Sequence, residues 1–369
     1  MNVKYMFSLI AVLVLFLLAY FGVAAFGLKT LFGVVIPYVA ITIFIVGIVV
    51  RMIRWAKSPV PFQIPTTCGQ HKSLTFLKQA KIDNPSTKTG VIARVLLEVT
   101  VFRSLFRNTR MKLHEKGRLA YSLEIFLWLG ALAFHWAFFA VIFRHLRLFL
   151  EPMPQCVKWV EYLDSFFRLE VLYDAVQIGV PAVFLSGLIL FAAVTYLLLR
   201  RMMVPNVRYI SLAADYFPLF LIFGIALSGL LMRYITKINV VSAKTLGVSL
   251  TAFAPVVPAD LPPIFFVHLF FVCVLLMYFP FSKLLHAPGV FFSPTRNMTT
   301  NTREVRHINP WNYPVKIHTY EEYEDDYREK MVEAGIPVDK EPEMVDEPEE
   351  IVEVVEVELA VEESPEEKE

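Results

Sequence analysis

Cysteine is scarce in this chain. The three present, Cys68, Cys156 and Cys273, stand too far apart for a disulfide framework or a thiolate cluster. Cys-x-x-Cys-His does not occur, which argues against covalent attachment of a c-type haem. No phosphate-cradling glycine loop, nucleophile elbow or His-Glu-x-x-His motif is found, so nucleotide and hydrolytic chemistry lack visible machinery. An internal repeat is missing as well, and with it the paired broken helices that many transporters carry. Charge is the other shortage. Charged residues make up 19% of the chain against a usual ~25%, hydrophobic residues make up 56%, and mean hydropathy is +0.54. That balance excludes an ordinary soluble domain of this size.

The formal net charge of +1 hides an asymmetry. Residues Glu341–Glu369 hold 14 acidic side chains and one lysine, leaving 34 basic against 20 acidic residues before them, a balance of about +14. A basic membrane body with an acidic tail is the reading. The Glu/Val/Pro composition of that tail cannot bury enough apolar surface to fold alone.

Six stretches reach the roughly 20 mostly apolar residues that a spanning helix needs: about Tyr5–Phe26, Thr30–Ile53, Ala120–Phe143, Asp174–Leu199, Leu212–Ile235 and Ile264–His286. The first exceeds the ~7–15 apolar residues of a signal-peptide core and reads as a retained anchor. Arg51, Arg54 and Lys57 open the connection after the second span, and Lys112, Lys116 and Arg118 close it. Arg200, Arg201 and Arg208 follow the fourth span, whereas Leu146–Tyr173, after the third, carries three basic and four acidic residues. Positive charge beside spans marks the cytoplasmic side. A multi-pass protein of the cell membrane with both termini in the cytoplasm is therefore expected. Within the long connection, Val91–Arg110 is amphipathic, with Arg103, Arg107 and Arg110 at helical spacing, and is expected as a helix on the inner surface. The alternative is a basic linker without fixed structure.

The expected fold is all-α, a polytopic membrane helix bundle with about six transmembrane helices and a flexible acidic C-terminal tail. Four segments follow: 1–53 with two N-terminal spans, 54–119 cytoplasmic and basic, 120–288 with four spans, and 289–369 cytoplasmic again.

Four of the eight histidines fall in or at the edge of spans, all of them in the third and sixth. Ionisable residues in a membrane are costly and face the bundle interior for a reason. Paired histidines on facing helices make a bis-imidazole haem iron site. The third span runs outward and the sixth runs back, so His135 and His286 are the inner members and His145 and His268 the outer ones. Two such pairs at two depths would ligate two b haems and form an electron wire across the bilayer. His135 and His145 are ten residues apart, ~15 Å along a helix, and His268 and His286 eighteen apart, ~27 Å. Eighteen residues are five helical turns, which puts the second two on one face, and Pro280 is expected to kink the helix between them.

Other uses of these residues stay open. A lone intramembrane histidine also serves helix–helix hydrogen bonding. A transporter with Asp215 as coupling site, or a haem-free membrane anchor for a cytoplasmic enzyme, is the alternative class. Cys68-x-x-His71 lacks a second ligand pair, and His114, His307 and His318 read as surface residues. Arg144, Arg147, Arg168 and Asp174 are candidate outer-side quinone contacts, or interfacial anchors.

The histidine spacings, together with LLLRRMMVPNVRYISLAADYFPLFLIFGIALSGLL, resemble the gamma subunit of respiratory nitrate reductase over roughly Ala120 to Pro288. RWAKSPVPFQIPTTCGQHKSL and RSLFRNTRMKLHEKGR resemble one branch, the membrane cytochrome subunits of the Dsr complex of sulfur metabolism (the DsrM branch), related to the membrane cytochrome of heterodisulfide reductase. The resemblance implies haem ligation by His135 with His286 and by His145 with His268. It also implies menaquinol as exchangeable substrate near the outer haem, and a quinol-oxidising electron-transfer subunit within a membrane oxidoreductase complex. The implied partners are a cytoplasmic iron–sulfur subunit related to heterodisulfide reductase and other Dsr complex subunits, with membrane lipid and quinone but no nucleic acid. The acidic tail has no counterpart in the family pattern.

Overall fold

Within a bilayer only a helix satisfies every backbone N–H and C=O inside one spanning segment, so long apolar runs leave the chain little choice. The computed structural model describes residues 3–58, 69–113, 118–166, 170–173, 176–179, 183–301 and 318–340. Cys68, His114, Arg168, Asp174, His307 and the acidic tail lie outside the described residues. The chain divides into two units, Met1–Asn312 and Tyr313–Glu369.

In the first unit, α1 is Val3–Ala24, and α2 is Ile36–Lys57, entered through a π turn at Leu31–Val35. Next come α3 (Lys88–Val101), α4 (Arg103–Phe106) and an antiparallel hairpin of β1 (Thr109–Leu113) with β2 (Leu119–Leu123). Helix α5 (Ile125–His145) ends in a 3-10 turn and is followed by α6 (Gln155–Asp164). Strand β3 (Ser165–Phe166) pairs with β6 (Val183–Phe184), and β4 (Glu170–Tyr173) with β5 (Val176–Gly179). Then follow α7 (Leu185–Met203), α8 (Pro205–Ile210), and α9 (Ala213–Leu230) prolonged by a π turn at Leu231–Ile235. Last in this unit are α10 (Val240–Thr251), α11 (Pro263–Tyr278) and α12 (His286–Phe292). The second unit contributes α13 (Tyr320–Glu333). Among the described residues, six helices are long and apolar enough to cross a membrane, which makes this a multi-pass membrane protein.

Three span boundaries differ from expectation. The third span starts at Ile125, because residues 119–123 pair with β1 as a strand. The fourth starts at Leu185; the β-branched stretches Val176–Gly179 and Val183–Phe184 are strands instead. The sixth does not continue to His286. Pro280 lacks an N–H and ends the helix, leaving a 3-10 turn at Phe279–Phe281 and extended backbone at Ser282 (φ −116°, ψ 176°). His268 and His286 therefore stand on different elements, not on one face of a continuous helix.

The amphipathic segment is also broken. Thr87 caps α3 by accepting a hydrogen bond from the Gly90 N–H at 3.2 Å. The helix stops at Phe102, whose φ of +52° is left-handed, a conformation costing a bulky residue ~1–3 kcal/mol. Beyond it, the guanidinium groups of Arg103 and Arg107 clamp Asp83.

Tyr216, Phe32, Phe266, Leu221 and Leu246 are fully buried at the centre of the bundle. There α9 packs against α1, α7 and α11, α5 packs on α7, and α2 on α11. A Cβ at Gly247 would lie 2.2 Å from the carbonyl oxygen of Leu148, so only glycine lets α10 cross the end of α5. Helix α13 is separately organised. Thr319 and Glu322 form a capping box, and Glu324 accepts hydrogen bonds from the Asp339 and Lys340 N–H groups. His318 lies 4.0 Å from both Glu322 and Asp326.

Candidate cofactor site

Helices α5 and α11, which carry three of the four histidines, do not pack closely on each other; α7 and α9 bridge them. Beyond the break at Pro280, the chain brings His286 beside His135 of α5. The result is two histidine pairs. The rings of His135 and His286 have centroids 5.7 Å apart and planes at 86°. Those of His145 and His268 are 6.4 Å apart and inclined by 20°. Two imidazoles sharing one metal ion, each with a nitrogen ~2 Å from it, have centroids about 6 Å apart, and both pairs lie near that spacing.

The hydrogen bonds fix which nitrogen is available. His135 Nδ1 lies 2.7 Å from the Ala131 carbonyl oxygen, and His145 Nδ1 lies 2.7 Å from that of Val141. His286 Nδ1 lies 3.2 Å from the Lys283 carbonyl oxygen. A carbonyl only accepts, so in each case Nδ1 carries the proton and Nε2 keeps its lone pair. His268 reaches the same state through a hydroxyl. Ser228 Oγ donates to the Ile225 carbonyl at 3.0 Å and accepts from His268 Nδ1 at 2.9 Å. All four rings thus offer Nε2, with Nδ1 held by the protein as metal-ligating histidines usually are.

A cavity of about 470 Å³ surrounds the second pair, with walls from α5, α7, α9, α10 and α11. Its lining is almost wholly apolar, apart from His145, His268 and a polar end formed by Arg144, Arg147, Arg233 and Tyr234. Gly187, Ala226 and Gly229 keep the wall low; a Cβ on Gly229 would come 3.4 Å from the His268 ring. A flat, mostly apolar group with an acidic edge and a metal open on both faces suits this chamber, and haem is such a group.

Five side chains that the sequence did not single out for the site contribute to it. Phe102 presses its ring on His135 at 4.9 Å between centroids, and Phe134 does so at 5.1 Å. The indoles of Trp128 and Trp136 donate to the Val101 and Thr100 carbonyls at 2.7 and 3.0 Å, satisfying the frayed end of α3 and fixing it beside α5. Ser228 had one available mark: it is the single serine or threonine between Leu212 and Leu231.

Arg144 and Arg147 pair with Asp164 and Glu161, so these two candidate quinone contacts are engaged inside the protein. Asp215 caps α9 by accepting from the Leu212 N–H at 2.9 Å and binds Lys283 at 2.9 Å, a structural use that leaves little for ion coupling. Among the described residues, no group of three or more His, Cys, Asp or Glu side chains gathers as a separate metal site, and His71 has no such company.

A helical membrane bundle with paired histidines at two levels defines the class. The nitrate reductase gamma subunit family matches residues 90–307, and the chain belongs to it. A relative in Archaeoglobus fulgidus, the Hdr-like menaquinol oxidoreductase cytochrome b-like subunit, is 42% identical over 289 residues, covering 76% of this chain and 83% of the relative. The protein of the same description in Archaeoglobus profundus is 40% identical over 283 residues, covering 75% and 81%.

Proposed function

We propose that this chain is a dihaem b-type membrane cytochrome subunit that passes electrons between the menaquinone pool and a cytoplasmic iron–sulfur subunit related to heterodisulfide reductase. The observation that carries the reading is the pairing of four histidines, each with Nδ1 engaged and Nε2 free, at ring separations of 5.7 and 6.4 Å. The description of the Archaeoglobus relatives as cytochrome b-like menaquinol oxidoreductase subunits supports the same chemistry. Bound haem b supplies one-electron redox chemistry, with potentials set by ligation and surroundings.

The protein's own part is ligation, spacing and exclusion of water. His135 and His286 hold the inner group, and His145 and His268 the outer one, within residues 120–288. The positive-inside distribution at Arg51, Arg54, Lys57, Arg200 and Arg201 supports the orientation with both termini in the cytoplasm of a cell-membrane protein. Quinol oxidation belongs on the outer side, so that its protons leave there, while the basic inner loops face the iron–sulfur partner. The resemblance to the Dsr branch and the Hdr-like description of the relatives favour a role in dissimilatory sulfur metabolism within a multi-subunit complex.

The test uses single alanine substitutions. His135→Ala or His286→Ala is expected to leave one haem per chain, the outer; His145→Ala or His268→Ala leaves the inner. Pyridine haemochrome against polypeptide gives the count. Full haem content in all four variants would overturn the assignment.

A further inference from the structure

Around Phe184, in β6, three guanidinium groups converge: Arg144 at 3.8 Å from the ring centroid, Arg233 at 4.8 Å and Arg147 at 5.7 Å. Their charges are not equally answered. Arg144 pairs with Asp164, which also accepts from the Ser186 N–H and hydroxyl at 2.6 Å each, and Arg147 pairs with Glu161. Arg233 has no carboxylate partner among the described residues, and its Nε is buried with no hydrogen-bond acceptor. This arginine belongs to the π turn that prolongs α9 and lines the same cavity as His145 and His268. A neighbouring hydroxyl, that of Tyr234, is already used: it accepts from the Phe184 N–H at 3.0 Å.

A buried guanidinium donor without an acceptor is expensive to keep, and its natural complement is a carboxylate that takes two parallel N–H bonds. The acceptor must enter the cavity, since the donor atom is buried rather than turned to solvent. We propose that Arg233 binds a propionate carboxylate of the outer haem, with Phe184 holding the guanidinium plane in place. This rests on the dihaem reading above. The remaining two arginines, matched by their own acids, frame the site without supplying the free charge.

The positive charge would stabilise the reduced haem, so removing it lowers the midpoint potential. The experiment is a potentiometric titration of the full-length chain in membranes, followed at the haem absorption bands, comparing wild type with Arg233→Gln and Arg233→Lys. The outer component is the one that His268→Ala abolishes. In Arg233→Gln its reduced-to-oxidised ratio at fixed potential should fall about tenfold, a shift of about 59 mV downward for one electron, with the inner component unmoved. Arg233→Lys should keep most of the wild-type value. If Arg233→Gln loses the outer haem, its retention in Arg233→Lys supports the charge role, and loss in both variants overturns it in favour of packing. Two bound haems with unchanged titrations in Arg233→Gln also overturn it. A wild-type chain without haem would count against the dihaem reading itself, a separate result.

Discussion

A carbonyl oxygen has no hydrogen to give, and at the scale of single residues that fact determines which face each histidine offers. Backbone carbonyls hold three of the rings, whereas His268 depends on one hydroxyl, Ser228, at 2.9 Å. Partners of this kind orient a ligand and raise its basicity, and losing one typically costs 10–100-fold in metal affinity. Ser228→Ala is therefore expected to weaken retention of the outer haem by about tenfold while the inner haem stays, and Ser228→Thr to restore part of it. Haem transfer to an excess of apomyoglobin measures this. Equal transfer rates in wild type and alanine variant would mean that the hydroxyl does not support the ligand. The four histidines were readable in the sequence because ionisable groups stand out in apolar runs. Ser228 was not, because a serine in a helix can equally bond back to its own backbone, as it also does here to Ile225.

Among the elements, the sequence reveals length better than endings. Apolar runs announce six spans, yet the break after Tyr278 depends on how the freed backbone at Pro280 and Ser282 is accommodated, which no periodicity records. The amphipathic segment between the second and third spans shows the same limit. Its arginines recur at helical spacing, but Phe102 leaves the helix because its ring is packed on His135 and the carbonyls of α3 are taken up by Trp128 and Trp136. Electrostatics then hold the connection. Partial burial raises the pKa of Asp83, but hydrogen bonds and charges from Arg103 and Arg107 outweigh this and hold the carboxyl below its ordinary range. A depressed carboxyl stabilises the folded arrangement above its unfolded value and loses that contribution as pH falls through the folded one. Hydrogen exchange over α3 and α4 should thus quicken as pH is lowered past the ordinary carboxylate range, after correction for intrinsic rates. Asp83→Asn should show quick exchange already at neutral pH and little further change. An acid response as large in the variant as in wild type would assign the effect to another group.

For the molecule as a whole, the bundle is a frame in which α7 and α9 stand between α5 and α11 and leave a chamber beside them. The number of spans, the helical class and which histidines come together could be read from the sequence, since they follow from counting apolar runs and alternating their direction. The chamber could not. It arises where Gly187 of α7 and the Ala226/Gly229 pair of α9, about forty residues further along the chain, come to line one wall. The central claim is that two haems sit in that frame. Its most direct test is a dithionite-reduced minus oxidised absorption spectrum of the purified full-length chain, expressed with ample haem supply, with pyridine haemochrome per polypeptide. A b-type spectrum and two haems per chain are expected, both reduced when a menaquinol analogue replaces dithionite. Well-folded protein that binds no haem would contradict that claim.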